Sequence, residues 1–222
     1  MPKVSSVSDT NTIAAIRKEY KLQTLAEKDV LKNPFSQFDK WWQEAINSNL
    51  EEVNAMTLAT ASADGMPDAR IVLLKGVDEK GFVFFTNYES TKGHQILENP
   101  RASLVFFWAA LERQVRISGL VSLTSSTVSD KYFDSRPEGS RIGAWASPQS
   151  QVIESREWLE EKEKRLKEES MEHPKHRPPY WGGYLVKPTR MEFWQGRPSR
   201  LHDRILYTLQ GNGHWKIERL AP

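Results

Sequence analysis

Between Ala55 and Leu123 the chain repeats one pattern: a short run of apolar and β-branched residues, then residues that favour a turn. The runs are Ala55 to Ala61, Ala69 to Val77, Phe82 to Asn87, Arg101 to Trp108 and Arg113 to Leu123. Asp64-Gly65 and Asp78-Glu79-Lys80-Gly81 stand between them with hairpin chemistry, so neighbouring runs are expected to pair antiparallel. One helix interrupts the meander, Ser90 to Asn99, with a serine cap before it and Pro100 after it. Further strand-like pieces follow at Gly183 to Lys187, Arg190 to Gly196 and Arg204 to Gln210, and Gly211-Asn212-Gly213 turns into His214 to Leu220. So many short antiparallel strands leave unpaired edges unless the sheet curls on itself. The expected fold class is therefore α+β, with a small antiparallel barrel at the centre and peripheral helices.

The helices read from caps and period. Asn33 followed by Pro34 is an N-cap with proline at the first helical position, opening a helix to about Ser48. Its apolar face is Phe35, Phe38, Trp41 or Trp42, Ala45 and Ile46. Asn11 to Tyr20 reads as a short helix, Ser125 to Ser135 and Glu138 to Trp145 as two more. Ser150 to Ser170 is a long charged one with Glu160/Lys164, Glu161/Arg165 and Glu163/Lys167 at supportive spacing. Met1 to Thr10 is Ser-rich without apolar period and reads as a flexible tail. Residues 11–222 are then a single domain, a size at which one core suffices.

Composition removes several function classes. Lys+Arg 31 against Asp+Glu 29 leaves a formal charge of +2, so no global positive field points to nucleic acid or to a membrane surface. The absence of cysteine excludes disulfides, thiolate nucleophiles and Cys-ligated metal, and fits a reducing, cytoplasmic setting. The longest apolar run, Leu104 to Leu111, is far too short to span a bilayer. His173-Pro174-Lys175-His176, two histidines around a proline without a third ligand nearby, reads as an exposed loop, and no metal is expected. There is no dinucleotide glycine fingerprint, no P-loop and no nucleophile elbow.

What remains is a set of local cation and ring clusters. Glu192 to Arg204 packs three arginines, His202 and Trp194 around Gly196 and Pro198, which suits a planar anionic ligand or, alternatively, a strand end with solvated charges. Arg70 and Lys75 flank an apolar strand and point to opposite faces unless a bulge intervenes. Phe85 to Lys92 leaves a strand and enters a helix, where N–H groups, hydroxyls and Lys92 can converge on a phosphate. Tyr132, Arg136 and Ser140 suggest a second phosphate clamp, and Gln149 and Ser150 offer an amide and a hydroxyl, or merely a helix cap. Two anion clamps with aromatic faces and no evident nucleophile favour chemistry carried by a bound cofactor.

Eight ordered pieces, Arg70-Ile71-Val72-Leu73-Leu74-Lys75, Phe85-Thr86-Asn87, Glu112 to Val115, Tyr132 to Pro137, Ile142 to Trp145, Phe193 to Gly196, Arg200 to Arg204 and the terminal Arg219 to Pro222, together resemble the pyridoxamine 5′-phosphate oxidase family. The resemblance runs from about Arg17 to the last residue. It implies a split β-barrel homodimer with FMN at the subunit interface, oxidising pyridoxamine or pyridoxine 5′-phosphate with O2 and releasing H2O2. It also implies flavin contacts from Arg70, Ile71, Val72, Leu73, Leu74, Lys75, Phe85, Thr86, Thr91, Lys92, Gln114, Gln149, Ser150, Trp194 and Arg204. Substrate contacts would come from Lys75, Tyr132, Arg136 and Ser140 around the phosphate, and from Arg200 and His202, the catalytic pair, over the pyridine ring. Arg17 to Tyr20 would close as a lid. Two positions depart from the family pattern: Thr91 stands before Lys92 where a second basic residue is usual, and Phe85 stands where tyrosine is common. The alternative is a split-barrel protein that binds FMN or pyridoxal phosphate without reacting.

Overall fold

The structure is a computed structural model and describes residue 15, residues 18–169 and residues 176–222. Met1 to Thr10, Arg17 and His173 lie outside the described residues, as does most of the helix expected over Asn11 to Tyr20. Its described end, Lys18 to Tyr20, is not helical.

Helix α1 (Pro34–Asn47) starts as its cap predicts: the Asn33 side chain accepts from the N–H groups of Phe35 and Ser36, and proline occupies the first turn. The spacing Phe38, Trp41, Ala45 puts three buried side chains on one stripe, while Ile46 is left exposed. Phe38 meets Phe82 edge-on at 4.9 Å and Trp41 meets Phe193 at 5.2 Å, which plugs the helix into the mouth of the sheet. Burying each such ring stabilises the fold by roughly 2–3 kcal/mol.

Among the described residues nine strands form one antiparallel sheet: β1 (Ala55–Ala61), β2 (Pro67–Leu73), β3 (Gly76–Asp78), β4 (Gly81–Asn87), β5 (Arg101–Trp108), β6 (Arg113–Leu123), β7 (Trp181–Gln195), β8 (Asp203–Leu209) and β9 (Trp215–Arg219). The spatial order is β2-β1-β5-β6-β7-β4-β3, with β8 added to β7 and β9 to β8. The 15 residues of β7 form the longest strand. Its first half pairs with β4, its second half with β8, and β6 runs along its other side. The sheet curls until β2 and β4, far apart in that order, line one cavity. Leu58, Phe82, Phe84, Leu104, Phe106, Met191, Phe193 and Tyr207 fill the interior without solvent exposure. Around the sheet sit α2 (Thr91–Glu98), α3 (Ser126–Asp134), α4 (Glu138–Ala146) and α5 (Arg156–Glu169).

Beyond shifts of one or two residues at strand ends, three elements differ from the sequence reading. The single strand expected over Ala69 to Val77 breaks at Leu74-Lys75, where the Leu74 N–H turns to the Asn54 carbonyl and the Lys75 N–H to that of Val83. The two strands expected at Gly183 to Lys187 and Arg190 to Gly196 are one; Pro188, which cannot donate to the ladder, is absorbed at a register shift opposite Ser118 and Gly119. The long helix begins at Arg156 rather than Ser150, its first turn held by Ser155 Oγ, which accepts from Trp158 N–H at 3.1 Å. Gln149 and Ser150 are therefore not its caps. Of the charge pairs expected on it, Glu163–Lys167 forms at 2.6 Å, while Arg156–Glu160 and Lys164–Glu168 are paired in place of Glu160/Lys164.

Candidate functional site

A cavity of about 650 Å3 opens between β2, β4 and helices α2 to α4, within the size range of small-molecule sites. Its lining carries Arg70, Lys75, Lys92 and Arg136 and no carboxylate. Ile71, Val72, Leu73, Phe85, Thr86, Tyr132, Ser140 and Gln149 complete most of the wall. The break after β2 is what brings Arg70 and Lys75 into the same space; an unbroken strand would separate them.

At one end Gln149 Oε1 accepts from Lys92 Nζ and from Thr86 Oγ1, both at 3.0 Å. Lys92 is nearly buried, and burial, with the charge of Arg70 second, pulls its pKa down to about 8. Arg70 itself leans on Thr60 Oγ1 at 2.5 Å and pairs with Asp68.

At the other end three rings lie nearly parallel. Phe85 stacks on Tyr132 at 3.9 Å and on Trp181 at 5.6 Å, and the Tyr132 and Trp181 planes differ by 8°. The Arg136 guanidinium sits 4.6 Å over Trp181, and Lys75 Nζ lies 5.9 Å from the Tyr132 ring. Arg136 Nη1 is buried without a hydrogen-bond partner among the described residues, and burial lowers the pKa of this guanidinium. A buried, unsatisfied cationic N–H in a cavity that Lys75 and Ser140 also line fits an oxyanion there. Trp181 was not singled out in the sequence. Its signal was the Gly182-Gly183 pair after it: a Cβ at Gly183 would lie 2.8 Å from the Phe85 ring, so glycine makes room for the stack.

The remaining candidates gather elsewhere. Gln114, Trp194 and Arg204 are directly paired across β6, β7 and β8 and so share one row of the sheet. Arg204 is held by Glu192, donating to both carboxylate oxygens at 2.8 and 3.1 Å, which raises its pKa. Beyond β7 the turn Pro198–Arg200 places Ser199 and Arg200 at φ 56° and 61°, left-handed backbone that side chains rarely adopt, a strain typical of functional turns. His202 packs against Trp194 at 4.6 Å and Tyr20 at 5.8 Å. Its Nδ1 accepts from the Arg197 N–H at 3.1 Å, so in the neutral ring the proton sits on Nε2. Burial first, then the Arg200 charge, lowers its pKa, which keeps it neutral at pH 7. Lys18, Glu19, Tyr20, Arg197, Ser199, Arg200 and His202 line a second cavity of about 520 Å3. None of them lines the first.

The predicted site residues thus fall into two groups in one chain. Arg70 to Leu73, Lys75, Phe85, Thr86, Lys92, Tyr132, Arg136, Ser140 and Gln149 are brought together; Leu74 is buried behind them, and Thr91 and Ser150 are exposed outside the wall. Gln114, Trp194, Arg200, His202, Arg204 and Tyr20 make the other group. Trp181 and Trp194 mark the two groups on the same strand, and thirteen residue steps of extended backbone separate them by roughly 40 Å along it.

A curled antiparallel sheet closing over a ring-walled cation cavity defines a split β-barrel of the FMN-binding type. More particularly, the chain belongs to the pyridoxine/pyridoxamine 5′-phosphate oxidase family, and it is an oxidoreductase. The family model described as pyridoxamine 5′-phosphate oxidase matches residues 42–168, and the pyridoxine 5′-phosphate oxidase C-terminal dimerisation region matches 181–222. A pyridoxine/pyridoxamine 5′-phosphate oxidase from Paraburkholderia phymatum is 60% identical over 96% of this chain and 100% of its own. One from Nostoc punctiforme is 59% identical over 95% and 99%. Among solved structures, PhzG from Burkholderia lata 383, in complex with tetrahydrophenazine-1-carboxylic acid, superposes with a TM-score of 0.84 at 30% identity, covering 90% of this chain and 99% of that one. A pyridoxamine 5′-phosphate oxidase-related, FMN binding protein from Nostoc punctiforme shares the fold at TM-score 0.69 and 21% identity, over 86% and 98%. No described helix is long and apolar enough to cross a membrane.

Proposed function

We propose that this protein oxidises pyridoxamine or pyridoxine 5′-phosphate to pyridoxal 5′-phosphate as an FMN-dependent homodimer using O2. The observation that carries this reading is the Nη1 of Arg136, buried without a partner among the described residues in the cavity that Lys75, Tyr132 and Ser140 also line. A phosphate there gains charge-assisted hydrogen bonds that the protein alone leaves unmade. In the amine reaction the C4′ carbon passes from CH2–NH3+ to CHO; water supplies the oxygen, ammonium leaves, and O2 takes two electrons and two protons as H2O2. In the alcohol reaction CH2–OH becomes CHO and O2 again becomes H2O2.

Bound flavin would supply the two-electron acceptor between the substrate's C4′ and O2. Lys92, Thr86 and Gln149 would hold its phosphate end, and the Arg70 to Lys75 strand its length. Trp194, Gln114 and Arg204 are roughly 40 Å along β7 from the Trp181 wall, too far to reach a ligand in their own chain's cavity. They would complete the cavity of the partner subunit. Ile71 and Leu73 beside one group and Leu201 beside the other are exposed apolar side chains that such pairing buries, and the match to a dimerisation region over 181–222 supports it.

Within the completed site Arg200 orients the substrate, and neutral His202 donates from Nε2 to a polar group of the pyridine or its substituent. Nδ1 is occupied by the Arg197 N–H, so His202 serves as a donor and not as a base. No covalent nucleophile is needed; holding two flat rings at reacting distance is the main task. The test is anaerobic mixing of the FMN-loaded protein with pyridoxamine 5′-phosphate. The yellow absorbance bleaches and returns on admitting air; a bound flavin that keeps its colour overturns the proposal in favour of a non-reacting binder.

A further inference from the structure

Residues 18–22 cross the second cluster, and the ring of Tyr20 lies so close over Gly196 that a Cβ there would come within 2.7 Å of it. Tyr20 also meets Trp194 at 5.7 Å and His202 at 5.8 Å. Downstream the chain is tied repeatedly: Gln23 to Arg113 and Arg197, Leu25 to Asp203 and Arg219, Glu27 to Arg219. Those ties begin at Gln23. Ahead of them, the backbone of Lys21 and Leu22 donates to one group, the Glu112 carboxylate, at 2.8 and 3.1 Å.

Glu112 is an odd choice for its position. It closes the turn before β6 at φ 55° and ψ 38°, in the left-handed region where glycine would be free of strain. It is also 4% exposed, and a carboxylate is a poor residue to bury unless it is hydrogen-bonded. The turn alone would be better served by glycine, so the side chain answers to something other than the turn. The Glu112 carbonyl meanwhile accepts from Gly196 N–H at 2.7 Å and from Gln195 Nε2 at 3.2 Å. One residue thus grips Gly196 by its backbone and the segment over Gly196 by its carboxylate.

We propose that Glu112 is a positioning residue that clips residues 18–22 across the second cluster and so sets Tyr20 against Gly196, Trp194 and His202. The kinetic part rests on the proposed function, in which that cluster receives the substrate; the clip itself does not. The two informative variants are Glu112→Gly, which relaxes the backbone and deletes the carboxylate, and Glu112→Gln, which keeps a carbonyl oxygen to accept the same N–H groups.

The experiment uses full-length, FMN-loaded protein, with tryptic cleavage after Lys18 and Lys21 followed by mass spectrometry, alongside steady-state kinetics with pyridoxamine 5′-phosphate and thermal unfolding. Losing the two charge-assisted bonds should speed cleavage in Glu112→Gly about tenfold or more, and raise KM by a similar factor while kcat stays within about threefold. Its thermal midpoint should hold or rise, since glycine suits the turn. Glu112→Gln should restore cleavage rate and KM to within about threefold of the starting protein. Wild-type cleavage in Glu112→Gly overturns the clip. So does a steep fall in its thermal midpoint with kcat and KM moving together, or a Glu112→Gln variant as impaired as the glycine one. Should the starting protein fail to turn over pyridoxamine 5′-phosphate, the proposed function falls, and the cleavage comparison still decides the clip.

Discussion

Lys92 carries its charge against the tendency of its surroundings. It is buried beside Arg70, and Asp68, the nearest compensating anion, is paired with that arginine, so its pKa falls to about 8 from 10.5. For a lysine whose folded pKa lies below its unfolded one, the unfolded chain binds more protons between those values, so stability without ligand rises with pH across roughly 8 to 10.5. In the proposed function phosphate binding would run the other way, because only protonated Lys92 attracts the anion. FMN affinity should therefore decline as pH rises above about 8, by roughly tenfold over the next pH unit or two, and Lys92→Arg should flatten the profile. Fluorescence titration of the apoprotein with FMN between pH 6.5 and 10, values chosen to bracket that pKa of about 8, measures it. A flat profile in the unaltered protein would remove Lys92 from the phosphate end. Nothing in the sequence announces such a shift, which depends on neighbours distant along the chain, nor the tautomer of His202, which depends on how the turn after β7 folds the Arg197 N–H back onto the ring. Residue types were legible; their protonation was not.

At the scale of elements, Gly119 shows how the long strand is built. It stands at the β6 register shift that absorbs Pro188, and a Cβ there would meet the backbone of Lys187, 2.0 Å from its carbonyl oxygen. That backbone belongs to a paired strand and cannot swing away, so Gly119→Ala should cost about 2–4 kcal/mol and lower the thermal midpoint by roughly 5 °C or more. Gly139→Ala is the contrast: it sits in α4 with nothing within 4 Å of the added methyl, and should be neutral or stabilise by up to about 1 kcal/mol. Differential scanning calorimetry on both variants checks the pair. The strands β1, β5 and β6 have the limits that period and turn chemistry suggest, Ala55–Ala61, Arg101–Trp108 and Arg113–Leu123, because local alternation decides them. The strand errors fell where a distant part of the chain overrules local signals, and the late start of α5 reflects a local cap at Ser155 in place of Ser150. Asn54 and Val83 capture the amides of Leu74 and Lys75, and β6 accommodates Pro188 inside a strand.

For the whole molecule, the question is which residues meet. In the proposed function the stretch Glu192 to Arg204 receives parts of both cofactor and substrate; within it His202 packs on Trp194 and shares a cavity with Arg197 and Arg200. What sequence order conceals is that the corner holding Arg136 and Trp181 lies at the other end of β7, since curling and pairing decide that distance. If the proposed dimer shares its sites, two dead variants should rescue each other. Arg136→Met and Arg200→Ala damage opposite halves, so a refolded mixture should recover about a quarter of normal activity: half the molecules are hybrids, each with one intact site. Each variant alone should lose roughly 2–4 kcal/mol in kcat/KM. A mixture no more active than its components would place both halves in one chain.

The length of β7 has a mechanical meaning as well. A strand clamped by β6 on one side and by β4 and β8 on the other behaves as a stiff spar and not as a hinge. In the proposed dimer, with one group at each end of that spar, the spacing between the two reaction centres is set by the repeat of an extended backbone. Thermal motion in the loops can then open or cover either centre without changing how far apart they stand.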